Sequence, residues 1–275
     1  MAAMLALRSG VDHLGSMRCT ASVATSDGDG AGGEQIVDDA QVDRVLVVTA
    51  HPDDVDFGCG GTVATWTAVA VEVAYCVVTN GDAGGFDPAV PRSAIAGIRQ
   101  DEQRKAAAAL GVTDVEFLGY PDGRLTVSHE LRRDITRVIR RVRPDRMVIH
   151  SPQRDLRSIY GSHPDHMAAG EAAMCAIYPD ARNPFAHPEL LVQEGLDAHT
   201  VREVWVMSPN DRAERYVDVT EAFDRKITAL TAHTSQTAHM TDLDERMRDW
   251  GAAQAAAAGL SAGRLAEGFI VLDTR

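Results

Sequence analysis

Two short runs in this sequence combine imidazoles with carboxylates at ligand-like spacing: His51-Pro52-Asp53-Asp54 and, far downstream, His163-Pro164-Asp165-His166. Imidazole nitrogen and carboxylate oxygen are donors that Zn²⁺ takes in catalytic sites, where three protein ligands leave one position open for water or substrate. A catalytic metal site therefore needs donors from both runs in one place. Taken alone, either run also reads as polar loop and helix N-cap chemistry, because Asp is common at helix starts. The glycines after the first run, Gly58, Gly60 and Gly61, offer a rival reading as a dinucleotide-binding loop. That fit is poor. Val63 stands at the third glycine position, the glycines begin well past the apolar run, and carboxylates would point where a pyrophosphate sits.

The fold has to bring the two runs together. DRVLVVTA before the first run and DRMVIHSP before the second read as buried, β-branched parallel strands. Between them, GGTVATWTAVA reads as a helix, VEVAYCVVTN as a strand, RSAIAGIRQDEQRKAAAALG as a helix closed by Gly111, VTDVEFLGY as a strand, and SHELRRDITRVIRRV as a helix with Ser128 at its N-cap. This alternation predicts an α/β fold: a Rossmann-like parallel sheet with helices on both faces. In such a sheet the loops after different strands share one edge, so both His/Asp runs face one pocket. Beyond the second run, HPDHMAAGEAAMCAIY and EAFDRKITALTAHTSQ read as helices, VREVWVMSP and RYVDVT as short strands, and ARNPFAHPELLVQEGLDAHT as a loop. The tail from Met240 reads as helical with a closing strand, so additional C-terminal strands and helices complete the domain. Residues 1–41, rich in Gly, Ser, Ala and Asp, read as a mostly disordered leader, with Met17 an alternative start; residues 42–275 form one domain.

Composition narrows the function. A formal charge of -13 excludes a phosphate-backbone binder and hence a nucleic-acid partner. No apolar run reaches the roughly 20 residues that span a bilayer, and MAAMLALRSG lacks the charged region of a signal peptide. Cys19, Cys59, Cys76 and Cys175 form no CxxC pair and read as free thiols, which points to the cytoplasm.

AHPDDVDFGCGGT followed by a late HPDH resembles the PIG-L/LmbE group of zinc-dependent deacetylases, which act on N-acetylglucosamine conjugates or related amides. The resemblance runs from about Val45 to Gln236 and takes in Arg99-x-x-Glu102, FLGYPDG, ARNP…HPEL…EGLDAH and DVTEAFDRKITALTAHTSQ. It implies His51, Asp54 and His166 as the metal ligands, for Zn²⁺ with Fe²⁺ as the alternative ion. It implies Asp53 as general base, His163 as the oxyanion-stabilising or proton-donating histidine, and Asp165 as the group orienting an imidazole. It places Arg99 and Asp122 near the sugar as substrate contacts. Two departures stand out: Ser162 separates Tyr160-Gly161 from His163, which disturbs a role for Tyr160, and Val55 stands where mycothiol-related members carry Glu.

Outside the two runs, His150 reads as a satisfied core histidine and Cys59 as packing, while His233 lies in the family-like AHTSQ segment. The expected function is zinc-dependent N-deacetylation of a small N-acetylated amino-sugar substrate. The alternatives are an amidase acting on a thiol-sugar conjugate or antibiotic intermediate and a non-catalytic Rossmann-like binding protein. A homo-oligomer is compatible with the sequence, which does not fix the assembly.

Overall fold

The run Val45-Leu46-Val47-Val48 has no polar side, and the structure buries both of its faces. In a computed structural model of the chain, which describes residues 23–25, 37–156, 159, 162–207 and 212–274, this run is strand β2 (Arg44–Thr49). Tyr160, Met17 and Cys19 lie outside the described residues. Beside β2 lie β3 (Glu72–Thr79) and β4 (Asp114–Tyr120) on one side, and β5 (Arg146–His150) and β6 (Glu203–Met207) on the other, all parallel. Past β6 the direction reverses. β8 (Ala266–Asp273), β7 (Arg215–Asp218) and β1 (Val23–Thr25) follow in that spatial order, each antiparallel to its neighbour, to complete an eight-stranded sheet. The expected parallel core with helices on both faces is present, and the added C-terminal strands are antiparallel.

Strand periodicity sorts the core into two layers. Val45, Val47, Val73, Tyr75 and Val148 pack with α1 (Asp54–Ala68), α2 (Arg92–Ala109) and α6 (Phe223–Ala232). Leu46, Val48, Ala74, Cys76, Met147 and Ile149 pack with α3 (His129–Val142) and α4 (Pro164–Cys175). Ser128 caps α3 as expected, accepting from Leu131 N at 3.1 Å. At Gly170 an added Cβ would stand 2.4 Å from the His150 carbonyl oxygen, so the glycine allows α4 to lie directly on the end of β5.

Four expectations need revision. Within the leader, Val23–Thr25 is an edge strand and Asp39–Gln41 a turn of 3-10 helix, while residues 1–22 and 26–36 lie outside those described. A three-residue edge strand needs only backbone donors and acceptors from β7, so side-chain periodicity does not reveal it. Asp39 is fixed because Arg146, 1% exposed and stacked 4.1 Å over Trp205, needs anionic partners and takes Asp39 as well as Glu203. Second, the ARNP…EGLDAH stretch holds a helix, α5 (Pro188–Glu194), with Pro188 in its first turn and Gly195 at φ 70° after its end. Third, the helix expected over EAFDRKITALTAHTSQ breaks at His233 (ψ 58°) into α6 and the short α7 (Thr234–Thr237), ahead of α8 (Leu243–Ala257).

The fourth revision concerns the glycines. α1 starts at Asp54, ahead of them, and bends at Cys59 (φ −146°, ψ 18°). The bend frees backbone groups inside the core, and one buried ion pair satisfies them. Lys226 Nζ donates to the Phe57 carbonyl at 2.8 Å, and Glu267 accepts from Gly61 N, Thr62 N and Thr62 Oγ1 at 3.0, 2.7 and 2.6 Å. Lys226 and Glu267 meet at 2.5 Å, both fully enclosed. Removing one partner strands a buried charge, a loss of roughly 3–5 kcal/mol. Lys226→Met is therefore expected to lower the thermal unfolding midpoint by about 10 °C, given roughly 2–4 °C per kcal/mol for a domain of this size. A midpoint within about 2 °C of wild type in a calorimetric scan would contradict this account of the bend.

Candidate active site

The strand order creates the crevice. From β2 the chain steps outward through β3 and β4, and α3 then returns it to the far side of β2 as β5. The connections after β2 and β5 leave in opposite directions, the switch point at which open α/β sheets bind ligands. His51 follows β2, and His163 to His166 follow β5 at the start of α4. The turn after β4 brings Asp122 to the same edge.

Three atoms converge there. His51 Nδ1 lies 3.2 Å from His166 Nε2 and 3.5 Å from Asp54 Oδ2, and His166 Nε2 lies 3.1 Å from Asp54 Oδ1. Ligand atoms held tetrahedrally at about 2.0–2.2 Å from zinc stand roughly 3.3 Å apart, the scale of these separations. Asp54 Oδ2 already accepts from His51 N at 2.7 Å and pairs with His150 Nε2 at 3.0 Å, which leaves Oδ1 as the ligating oxygen. Asp54 also opens α1, where the helix dipole favours an anion. Burial works against its charge, but the His166 and His150 imidazoles outweigh burial and hold it well below the usual carboxylate range. His150 stacks on His166 with ring centroids 4.1 Å apart, so this buried histidine touches both a carboxylate and an imidazole of the cluster.

The opposite side of the His51 ring is fixed by two carboxylates. Nε2 lies 3.0 Å from Asp122 Oδ1 and 3.2 Å from Asp165 Oδ2. Asp165 in turn accepts from Gly123 N and Leu125 N at 2.7 and 3.2 Å, tying the turn after β4 to α4. A carboxylate on the far nitrogen sets the tautomer of a metal-binding imidazole and raises its basicity. Burial lowers the affinity of His51 for a proton, yet Asp122, Asp165 and Asp54 together overcome it and push the pKa up to about 12.

Asp53 is held from α2. It has left-handed backbone angles (φ 95°, ψ −26°), which cost a non-glycine residue roughly 1–2 kcal/mol. Arg99 Nη2 donates to Asp53 Oδ2 at 3.0 Å and to Pro52 O at 2.6 Å, and Asp53 N donates to Gln103 Oε1 at 2.7 Å. Burial raises the Asp53 pKa, Arg99 pulls it back, and the result is about 6. His163 is the N-cap of α4: its Nδ1 accepts from Asp165 N at 3.1 Å, which puts the ring proton on Nε2. Partial burial, with His51 and His166 nearby, lowers its pKa and favours the neutral ring.

All eight candidate residues thus meet at one sheet edge. Arg99 and Asp122, expected as sugar contacts, are buried. Arg99 is taken by Gly81 O, Pro52 O and Asp53, and Asp122 by His51 and by Ala83 N at 3.2 Å. The sequence reading did not single out Gln103, although Arg99, Glu102 and Gln103 share one face of α2 by their i, i+3, i+4 spacing.

Comparison with known proteins identifies the family. The PIG-L family model, described as GlcNAc-PI de-N-acetylase, matches residues 46–177. Diacetylchitobiose deacetylase of Thermococcus kodakarensis is 31% identical over 198 residues, covering 71% of this chain and 70% of that protein. A probable N-acetyl-alpha-D-glucosaminyl L-malate deacetylase 2 of Bacillus cereus is 32% identical over 206 residues, covering 72% of this chain and 86% of that protein. The solved structure of N,N'-diacetylchitobiose deacetylase from Pyrococcus horikoshii, with an inhibitor, superimposes with a TM-score of 0.74 at 27% identity over 85% of each chain. The chain belongs to the PIG-L family of deacetylases.

A proton on His51 and a metal ion compete for the same side chain. Because the folded pKa of His51 is raised to about 12, the metal-free imidazole is charged throughout the neutral range and must lose a proton when the ion enters. Zinc affinity should rise about tenfold per pH unit between roughly pH 6 and 8, with about one proton released per ion. Calorimetric titration in buffers of different ionisation enthalpy measures this, and pH-independent affinity would refute it.

Proposed function

We propose that this protein is a zinc-dependent N-deacetylase that hydrolyses the acetamide of an N-acetylglucosamine-containing small molecule. The observation that carries the reading is the convergence of the His51, Asp54 and His166 side chains, each within 3.5 Å of the other two, with the His163 ring beside both histidines. A bound zinc ion supplies Lewis acidity to the amide carbonyl and lowers the pKa of a water toward about 7.

The chain's own groups then divide the proton work. Asp53 Oδ2 is held by Arg99, so Oδ1 is free to take the proton of the attacking water. His163 carries its one proton on Nε2, where it donates a hydrogen bond that stabilises charge on the carbonyl oxygen, and the proton taken up by Asp53 is the one passed to the departing amine. Asp165 positions both histidines, through its side chain for His51 and its backbone N–H for His163. In this reading Arg99 and Asp122 act on the machinery: Arg99 aims the base, and Asp122 aims His51. Two imidazoles, one carboxylate and an open position make a donor set that zinc takes in hydrolytic sites. Among the described residues no helix is long and apolar enough to cross a membrane, and the described cysteines are free, which fits a cytoplasmic enzyme.

Acetate release from N,N'-diacetylchitobiose, N-acetylglucosaminyl malate and simple N-acetylglucosaminides after zinc loading tests the reading; no release from any of them would overturn it. Asp53→Asn keeps the shape but cannot take a proton, so kcat should fall about 10²–10⁴-fold with zinc content unchanged. The acid limb of kcat/KM should lie at or below about pH 6, because activity is lost as Asp53 is protonated. A bound cation can only lower that value, and a limb above pH 7 would exclude Asp53 as the base.

A further inference from the structure

Resting on the deacetylase reading, we infer that His233, Asp56 and Gln103 are positioning residues for the base: a buried chain of hydrogen bonds that ties the break between α6 and α7 to the backbone of Asp53. The chain is continuous. His233 Nε2 lies 2.8 Å from Asp56 Oδ2, Gln103 Nε2 donates to the same oxygen at 2.9 Å, and Gln103 Oε1 accepts from Asp53 N at 2.7 Å. His233, Asp56 and Gln103 are all fully buried.

Each link constrains the next. Asp53 keeps its left-handed backbone only while neighbours hold it, and Gln103 supplies the acceptor for its N–H. An amide side chain can present either end. Turned around, Gln103 would set a donor against Asp53 N–H and an acceptor against a carboxylate, so Asp56 selects the orientation in which Oε1 serves Asp53. His233 fixes Asp56 in turn, and the break between α6 and α7 is what turns its ring inward.

The turn itself is latched to α2 beside Gln103. Glu102 accepts from Ser235 N at 2.8 Å and from Ser235 Oγ at 2.6 Å. Hence two faces of the molecule distant in sequence, Arg99 to Gln103 and His233 to Ser235, form one bracket behind the loop that carries Asp53. Stability alone does not call for this arrangement, because an apolar pair of similar volume would fill the site of His233 and Asp56 without desolvating polar groups. A polar chain that ends on the base does call for it, since a small misplacement of a reacting group costs up to about 100-fold in rate.

The test uses His233→Ala, His233→Gln and Gln103→Met in the zinc-loaded full chain. Glutamine places an amide nitrogen near the Nε2 position, and methionine keeps the length of Gln103 without its polar atoms. His233→Ala and Gln103→Met should each lower kcat about 10- to 100-fold, with KM within about twofold and zinc content unchanged. His233→Gln should recover most of the loss. In the same proteins without substrate, hydrogen exchange at the amide of Asp53 should accelerate at least about tenfold in the first two variants and return toward wild type in the third. Should His233→Ala fail to fold, Gln103→Met and His233→Gln still decide the matter. Unchanged kcat and unchanged exchange in Gln103→Met would overturn the inference, as would losses that track zinc content or unfolding and are not recovered by His233→Gln. Exchange is read without substrate, so a wild type that releases no acetate would remove the deacetylase reading alone.

Discussion

Three crossovers of the sheet are tied at one imidazole. His51 follows β2, and its Nε2 meets Asp122 from the turn after β4 and Asp165 from the helix after β5. Its Nδ1 faces Asp54 and His166. Two carboxylates beside one nitrogen repel each other, and the arrangement is stable only while positive charge sits on the ring or beside it. A proton on the ring supplies that charge. A neutral side chain at position 51 would remove the tie among the three loops.

The rest of the domain brings that tie to the right height above the sheet. α1 has to start directly at Asp54, so that its dipole faces the carboxylate, and still pass close over β6 and the segment after β7. Gly58 and Gly61 make the passage, since added Cβ atoms would meet Met207 Sδ at 2.4 Å and Val219 Cβ at 2.8 Å. The bend at Cys59 is the consequence, and Lys226 and Glu267 satisfy the backbone it exposes. A glycine pattern that resembles a phosphate loop is here the packing solution for a helix that must begin at a fixed point.

The sequence reading captured features written in local patterns. β-branched runs alternating with helical periods disclosed the parallel core, and two His/Asp runs after strand ends disclosed where the candidate chemistry lies. What escaped it depends on contacts between segments distant in the chain. The early start of α1 was hidden because glycines argue against a helix, and only Glu267 and Lys226, encoded some 160 to 200 residues later, offset that local preference. α5 was hidden by three prolines, although Pro188 and Gly195 are themselves start and stop signals. Arg99 was expected as a sugar contact. Its burial comes from the loop at Gly81 and Gly84, where added Cβ atoms would meet Arg99 Nη1 at 2.8 and 2.3 Å, and no helical period reports that.

The fate of Arg99 and Asp122 bears on where selectivity resides. Both are buried charged groups, and the contacts they make are within the protein, to Asp53, Gly81, Pro52, His51 and Ala83. A rigid centre of this kind can recognise an acetamide, which is common to many amino sugars, but has few unspent polar groups for the rest of the molecule. Further polar contacts have to come from the outer ends of the crossovers. Exposed loops tolerate change because little packing depends on them, whereas Asp53 and the His51, Asp54 and His166 cluster are fixed by buried partners on several elements. Substrate range can therefore diverge while the hydrolytic centre stays constant, and the residues that set it are those least legible from local sequence pattern.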